Sequence, residues 1–256
     1  MALLKTVTKD SLVFHVFDTR AEGGALAARE GADVIRDLLS KQEKVNIIFA
    51  AAPSQNDTLS ALLAEEGIDW SRVRAFHMDE YVGFGRECPQ SFGTYLYDHV
   101  FGKLPFGEVY YINGAAEDPQ QECLRYSQLL TQYPTDIVFL GIGENAHIAF
   151  NDPWIADFND PALVKLVPLD EVCRNQQVHD GCFPTLDDVP THAFSLTVPA
   201  LVKAKHMFCT VPCATKAEAV YLTATAPINE DVPATAMRNH PHAVMYCDKD
   251  SGAKIL

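Results

Sequence analysis

Two hydrophobic periods alternate along this chain. Short runs of β-branched and aromatic residues at 12–17, 45–50, 73–78, 108–112, 137–140, 163–168, 193–198, 206–211 and 243–247 have the length and composition of strands. Between them apolar residues recur at spacings of three and four, as at Ala25, Ala28, Ala32, Ile35 and Leu39, the mark of one buried helix face. This predicts helices over 19–40 and 58–66, one of about ten residues ending before Gly102, and one over 119–132 opened by Pro119. Further on, Asp170 is placed to cap a short helix carrying Arg174, a helical turn falls near Leu201, and Lys216 lies in the first turn of another helix. The run at 45–50 is apolar almost throughout, as in a strand covered on both faces. Strands alternating with helices predict one α/β domain over residues 1–256, doubly wound and Rossmann-like, with a mostly parallel sheet. Residues 177–191, with Gly181, Pro184 and Pro190, break the pattern and read as a functional loop or lid. Residues 248–256 read as a tail.

Open α/β sheets bind ligands beyond the carboxyl ends of their strands, so the residues just past each run carry the functional information. After 137–140 comes Gly141-Ile-Gly-Glu-Asn-Ala-His-Ile-Ala-Phe-Asn-Asp-Pro153, where two glycines allow a sharp turn. His147 lies just beyond, with Asn145 and Asp152 near enough in sequence to fix its tautomer and tune its proton affinity. The competing reading is a loop histidine that only caps backbone groups. After 73–78 come Asp79 and Glu80. Neighbours on a strand face opposite ways, so one of the two faces the cleft and the other is structural. After 45–50, Ala51-Ala-Pro-Ser-Gln-Asn56 leads into a helix that Ser54 or Asn56 is expected to cap, its first N–H groups offering an anion site.

Charge narrows the ligand. The 256 residues carry a formal net charge of −14 and a pI near 4.9. No general positive field exists to attract a nucleic acid or an anionic membrane, and an anionic small ligand needs a local cluster of cations. The seven cysteines are scattered without a C-x-x-C, and none of the nine histidines forms a persuasive metal motif, His240-Pro-His242 reading as a loop. Reduced thiols in a cytoplasmic protein are the expectation, with no metal and no cofactor. The first residues lack the pattern of a signal peptide, and no apolar run approaches the roughly 20 residues of a membrane span.

Met78-Asp-Glu-Tyr-Val-Gly83 with Pro89-Gln-Ser91, and Gly143-x-x-x-His-Ile-Ala-Phe-Asn-x-Pro153, resemble the two signature regions of glucosamine-6-phosphate deaminases (isomerases), which share a Rossmann-like superfamily with 6-phosphogluconolactonases. The resemblance runs from the first strand to Cys247, and Phe150-Asn151 favours the deaminase branch. It implies conversion of glucosamine 6-phosphate to fructose 6-phosphate and ammonia. On that basis Asp79 matches the base that moves a proton between C2 and C1, and His147 the group that opens the pyranose ring. Asn145 and Asp152 match two carboxylates that orient the imidazole. Arg174 and Lys216, with the helix start around Ser54 and Gln55, match the phosphate clamp. Self-association into a homo-oligomer, common in the family, is a further expectation of the resemblance.

This chain departs from the family pattern inside the site. Asn145 stands where the deaminases carry aspartate, and a neutral amide orients imidazole without stabilising imidazolium by charge. Asp152 replaces a glutamate and shortens the reach by one methylene. The 51–56 loop replaces a Gly-Gly-Thr-Pro type, so close backbone approach to phosphate is harder, and the Ser54, Gln55 and Asn56 side chains compensate or the anionic group sits differently. These departures keep three other readings in play: an isomerase or deaminase of a different sugar phosphate, a non-catalytic sugar-phosphate sensor, and a lactone hydrolase.

Overall fold

A computed structural model describes residues 2–179 and 181–256. Its main sheet has eight strands in the spatial order β1-β2-β11-β10-β7-β3-β4-β6. In sequence these are β1 (Leu3–Lys9), β2 (Leu12–Phe17), β3 (Val45–Phe49), β4 (Val73–His77), β6 (Glu108–Tyr110), β7 (Ile137–Leu140), β10 (His206–Val211) and β11 (Ala243–Asp248). β1 pairs antiparallel with β2, and every other pairing in this sheet is parallel. A smaller antiparallel sheet joins β5 (Asp79–Tyr81), β9 (His192–Leu196) and β8 (Val164–Pro168).

Helices cover both faces of the main sheet, and the apolar strands are the consequence. On β7, Ile137 and Phe139 enter the core layer beneath α1 (Arg20–Lys41) and α2 (Asn56–Leu63), while Val138 and Leu140 enter the opposite layer with residues of α4 (Pro119–Gln132), α6 (Val198–Val202) and α7 (Ala217–Thr225). α1 lies close to the sheet because Gly31 sits over the Phe139 ring, where a Cβ would fall 2.5 Å from Cζ. At Gly24 the same helix crosses α2 so tightly that a Cβ would lie 2.6 Å from Asp57 Cβ. α1 is capped by Thr19, whose side chain accepts from the Glu22 N–H, and α4 starts on Asp118, whose side chain accepts from the Gln120 and Gln121 N–H groups. The ten-residue helix before Gly102 is α3 (Phe92–Leu96) continued by a wider π-type turn to Phe101.

Several sequence expectations are corrected. β1 is an additional strand, and its seven residues are almost all exposed, so it has no apolar alternation to read. The runs at 163–168 and 193–198 are strands, but of the small antiparallel sheet. Neither Ser54 nor Asn56 caps α2: a 3₁₀ turn at Pro53–Gln55 leads into it without a side-chain cap, and Asn56 Oδ1 instead accepts from the Tyr95 hydroxyl at 2.6 Å. The 177–191 segment begins inside α5 (Glu171–His179) and holds a second short turn at Leu186–Asp188. The tail is packed, with Ser251 fully buried and its hydroxyl donating to Val211 O at 2.6 Å. Among the described residues no helix is long and apolar enough to cross a membrane, and no cluster of three or more His, Cys, Asp or Glu side chains is arranged to hold a metal ion.

Candidate active site

From β3 the chain winds outward through β4 and β6, and from β7 it winds the other way through β10 and β11. The switch point lies between β3 and β7. A cleft opens there, lined by the segments just past the ends of β3 (Ala50–Gln55), β4 (Met78 and Asp79), β7 (Gly141–Gly143) and β10 (Pro212 and Cys213).

One end of this cleft is built around His147. Asn145 Oδ1 lies 2.8 Å and Asp152 Oδ1 3.1 Å from His147 Nδ1. Asn145 Nδ2 donates to that same Asp152 oxygen at 2.8 Å, which orients the amide with its oxygen toward the ring. Both neighbours of Nδ1 are therefore acceptors, so Nδ1 carries the proton and Nε2 of the neutral ring keeps its lone pair. Burial works to raise the Asp152 carboxyl, but the hydrogen bond and charge of His147, with the Asn145 bond, hold it below its usual range. The charge that Asn145 does not supply thus reaches the imidazole from Asp152, and the shorter aspartate still makes contact. Gly143 makes room for the ring, because a Cβ there would fall against Cε1, Nδ1 and Nε2. The loop is held from behind. Asn151 Nδ2 donates to Leu196 O at 2.8 Å and the Phe150 N–H to Ser195 Oγ at 3.0 Å, both on β9. Two alanines flanking His147 take left-handed backbone conformations, Ala146 at φ 63° and Ala149 at φ 47°.

Asp79 lines the same cleft, and Glu80 turns away from it, as strand alternation requires. Glu80 accepts from Ser91 Oγ (2.7 Å), Phe92 N (3.0 Å) and Gly93 N (2.9 Å), and so caps α3. Asp79 Oδ1 is buried with no hydrogen-bond partner. Burial first, and the Glu80 charge second, push its carboxyl well above the usual carboxylate range. Its backbone is fixed by His77. The Ile112 N–H donates to His77 Nε2 at 2.9 Å, so Nδ1 bears the proton and donates to Asp79 O at 2.9 Å. Complete burial, only partly opposed by that bond, depresses His77 to about 4 and keeps it neutral.

The other end of the cleft is lined by Ser54, Gln55, Thr215 and Lys216. Gln55 is buried, and its Nε2 donates to Thr210 O and Ser54 Oγ, both at 3.1 Å. It rests on the bare backbone of Gly141, where a Cβ would lie 2.8 Å from Nε2. Arg174 is not brought here. Its guanidinium donates to Leu186 O and Val189 O, and it lines a separate cleft with Asp187 and His192. Asp170 does cap its helix, accepting from the Cys173 N–H at 2.7 Å. Three polar residues that line the main cleft went unnoticed in the sequence: Arg20, Thr215 and Gln177. Arg20 lies just past the end of β2, so the rule about strand ends, applied to the first run, singles it out.

Comparison with known proteins agrees with this architecture. The family model for glucosamine-6-phosphate isomerases/6-phosphogluconolactonase matches residues 18–152, more than half of the chain, and the chain belongs to that family. Two relatives named glucosamine-6-phosphate deaminase, from Streptococcus sanguinis and Listeria monocytogenes, are each 32% identical over 234 residues. Those residues are 91% of this chain and 95% and 97% of the relatives. Among solved structures, a monomeric glucosamine-6-phosphate deaminase superposes with a TM-score of 0.86 at 28% identity, covering 94% of this chain and 99% of its own. The 6-phosphogluconolactonase of Trypanosoma brucei, at 15% identity and a TM-score of 0.76 over 98% of this chain and all of its own, shares the fold.

Proposed function

We propose that this chain deaminates and isomerises an aminosugar phosphate, converting glucosamine 6-phosphate and water to fructose 6-phosphate and ammonia. The observation that carries the reading is the convergence of Asp79 and His147 on one cleft, each in a setting suited to proton transfer. His147 Nε2 moves a proton between the ring oxygen and the C1 hydroxyl, which opens the pyranose. Asn145 and Asp152 hold Nδ1 and stabilise the imidazolium that forms as the proton arrives. Asp79 takes the C2 proton from the opened aldose and returns it to C1. The product is the C2 imine of the ketose, which water hydrolyses with loss of ammonia. A buried carboxylate with a raised pKa is a stronger base than an exposed one, as abstraction beside a carbonyl requires.

Ser54, Gln55 and Lys216 are assigned to the phosphate end. The seven free thiols suit a cytoplasmic enzyme. A different sugar phosphate is the second reading, favoured by the Gln55 carboxamide packed on Gly141 at the cleft. The test is release of ammonia and ketose phosphate by the purified protein from glucosamine 6-phosphate and from its galactosamine isomer. Equal amounts of both products from the glucosamine compound support the proposal. Release from the galactosamine compound alone selects the second reading, and binding of either without release supports a sensor.

A further inference from the structure

The phosphate end holds an arginine that the family resemblance did not point to. Arg20 opens α1, and its guanidinium is clamped on one edge: Nε donates to Asp57 Oδ2 at 2.5 Å and Nη2 to Pro53 O at 3.0 Å. Nη1 points to the Cys213 sulfur at 3.8 Å, a weak acceptor that leaves most of its hydrogen-bonding capacity unused. This geometry depends on Gly24, one turn along α1, which lets the helix approach α2 closely enough for Arg20 to meet Asp57. Among the described residues that line the cleft, Arg20 and Lys216 are the cations other than histidine. A phosphate dianion entering a chain of net charge −14 needs such a local cluster. Arg174, by contrast, spends its guanidinium on the carbonyls of the 186–189 turn.

We propose that Arg20, oriented by Asp57 and Pro53, is the arginine that grips the substrate's phosphate in this chain, in the role that the resemblance gave to Arg174. This rests on the sugar-phosphate reading above. Because Asp57 offsets the charge of Arg20, the arginine contributes less as a bulk positive field than as a fixed fork. It offers Nη1 to a tetrahedral oxyanion, while Lys216 adds positive charge from another wall of the cleft. The 51–56 loop has no glycines for close backbone approach, and a side-chain donor anchored to Pro53 O compensates for them.

The test titrates glucitol 6-phosphate and inorganic phosphate by calorimetry into the wild type, R20Q, R20K and R174Q, with steady-state turnover of glucosamine 6-phosphate in parallel and circular dichroism to confirm folding. R20Q is expected to weaken both ligands about ten- to a hundredfold and to raise KM similarly, with kcat within about threefold. R20K keeps the charge but loses the fork and recovers only part of that loss. R174Q is expected to lower Tm and leave both affinities within about twofold. The proposal is overturned by wild-type affinity in folded R20Q or R20K, by the loss appearing in R174Q instead, or by a wild type that binds neither ligand. Arg20-dependent binding without ammonia release sinks the reaction and keeps the anion site. Turnover with a KM indifferent to Arg20 does the reverse.

Discussion

The two ends of the cleft are built in different ways. At the end proposed for proton transfer, Asn145, His147 and Asp152 come from one strand-end loop, and Asp79 lies directly past the end of another strand. At the end proposed for phosphate the groups come from three distant segments, around Arg20, Ser54 and Lys216, brought together by the close packing of α1 on α2 and the alignment of β3 with β10 about β7. The first end holds a buried carboxylate oxygen with no partner and two left-handed alanines, and the second a buried Gln55 Oε1 with no partner and a strained backbone at Cys213. In the second, the arginine is tied to an aspartate and a backbone carbonyl. Proton transfer needs groups poised away from their solution behaviour, as the Asp79 carboxyl is, whereas anion binding needs groups held in place, as the Arg20 guanidinium is.

Asp79→Asn should separate stability from activity most sharply. It removes the base, and turnover should fall by at least about 10²–10⁴ with glucitol 6-phosphate binding retained. It also removes the cost of protonating a buried carboxyl on folding, so Tm near neutral pH should rise by a few degrees. Retained turnover would show that the proton-transfer end is misassigned. The acid side of the wild-type pH profile sharpens the same point. The base works ionised, and its pKa is raised, so kcat/KM should fall, as pH drops, at a pH well above the range of an ordinary aspartate. An acid limb near 4 would exclude Asp79 as the titrating base.

The difference between the two ends also explains how much of the molecule could be read from sequence. Strand runs buried on both faces, such as 45–50 and 137–140, report their position in the sheet by composition alone, and local spacing carries His147 with its partners. Alternation along β5 correctly divided Asp79 from Glu80. Three features had no local signal. β1 is exposed on nearly every side chain, so its strand character comes from pairing with β2. The runs at 163–168 and 193–198 look like any other strand, because which sheet a strand joins is decided by tertiary packing. Arg174 has the right residue type on a correctly read helix, but the turn at 186–189 folds back to take its donors, a contact that helical spacing does not encode.

Asp152→Asn tests whether the charge behind His147 matters beyond orientation. The amide can still accept from Nδ1, so the ring should stay in place, while the imidazolium loses its counter-ion. A fall in kcat of about ten- to a hundredfold with KM little changed is expected. If kcat is unchanged, orientation by Asn145 suffices.

His77 supplies a smaller effect, on stability. Its folded pKa, about 4, lies below the unfolded value of 6.5, so the folded state binds fewer protons between them. Its contribution is intact above 6.5 and is lost as pH falls toward 4, by at most roughly 3 kcal/mol from a shift of this size. Asp79, with a raised pKa, takes up its proton on folding and acts with the opposite sign, so the comparison belongs in the D79N background. There, His77→Gln, which can still donate and accept, should flatten the acid loss seen in urea unfolding between about pH 7 and pH 5. Parallel curves for the two proteins would mean that His77 is not the buried neutral group described.

The smallest expected effect lies at the phosphate end, where one residue carries backbone strain. Cys213 sits at φ 83° and ψ 145°, a conformation that glycine adopts freely and a residue with a Cβ does not. Its N–H donates to Asp248 Oδ2 at 2.9 Å, and Asp248 is itself fixed by the Ser251 N–H at 2.8 Å, so the packed C-terminal turn holds the strain in place. Cys213→Gly relieves it but adds freedom to the unfolded chain, and the net gain should be about 1 kcal/mol. The urea midpoint should rise with an unchanged m-value. A lower midpoint would mean that the thiol's contact with Arg20 outweighs the strain, and the phosphate end would then hold its arginine by packing as well as by Asp57.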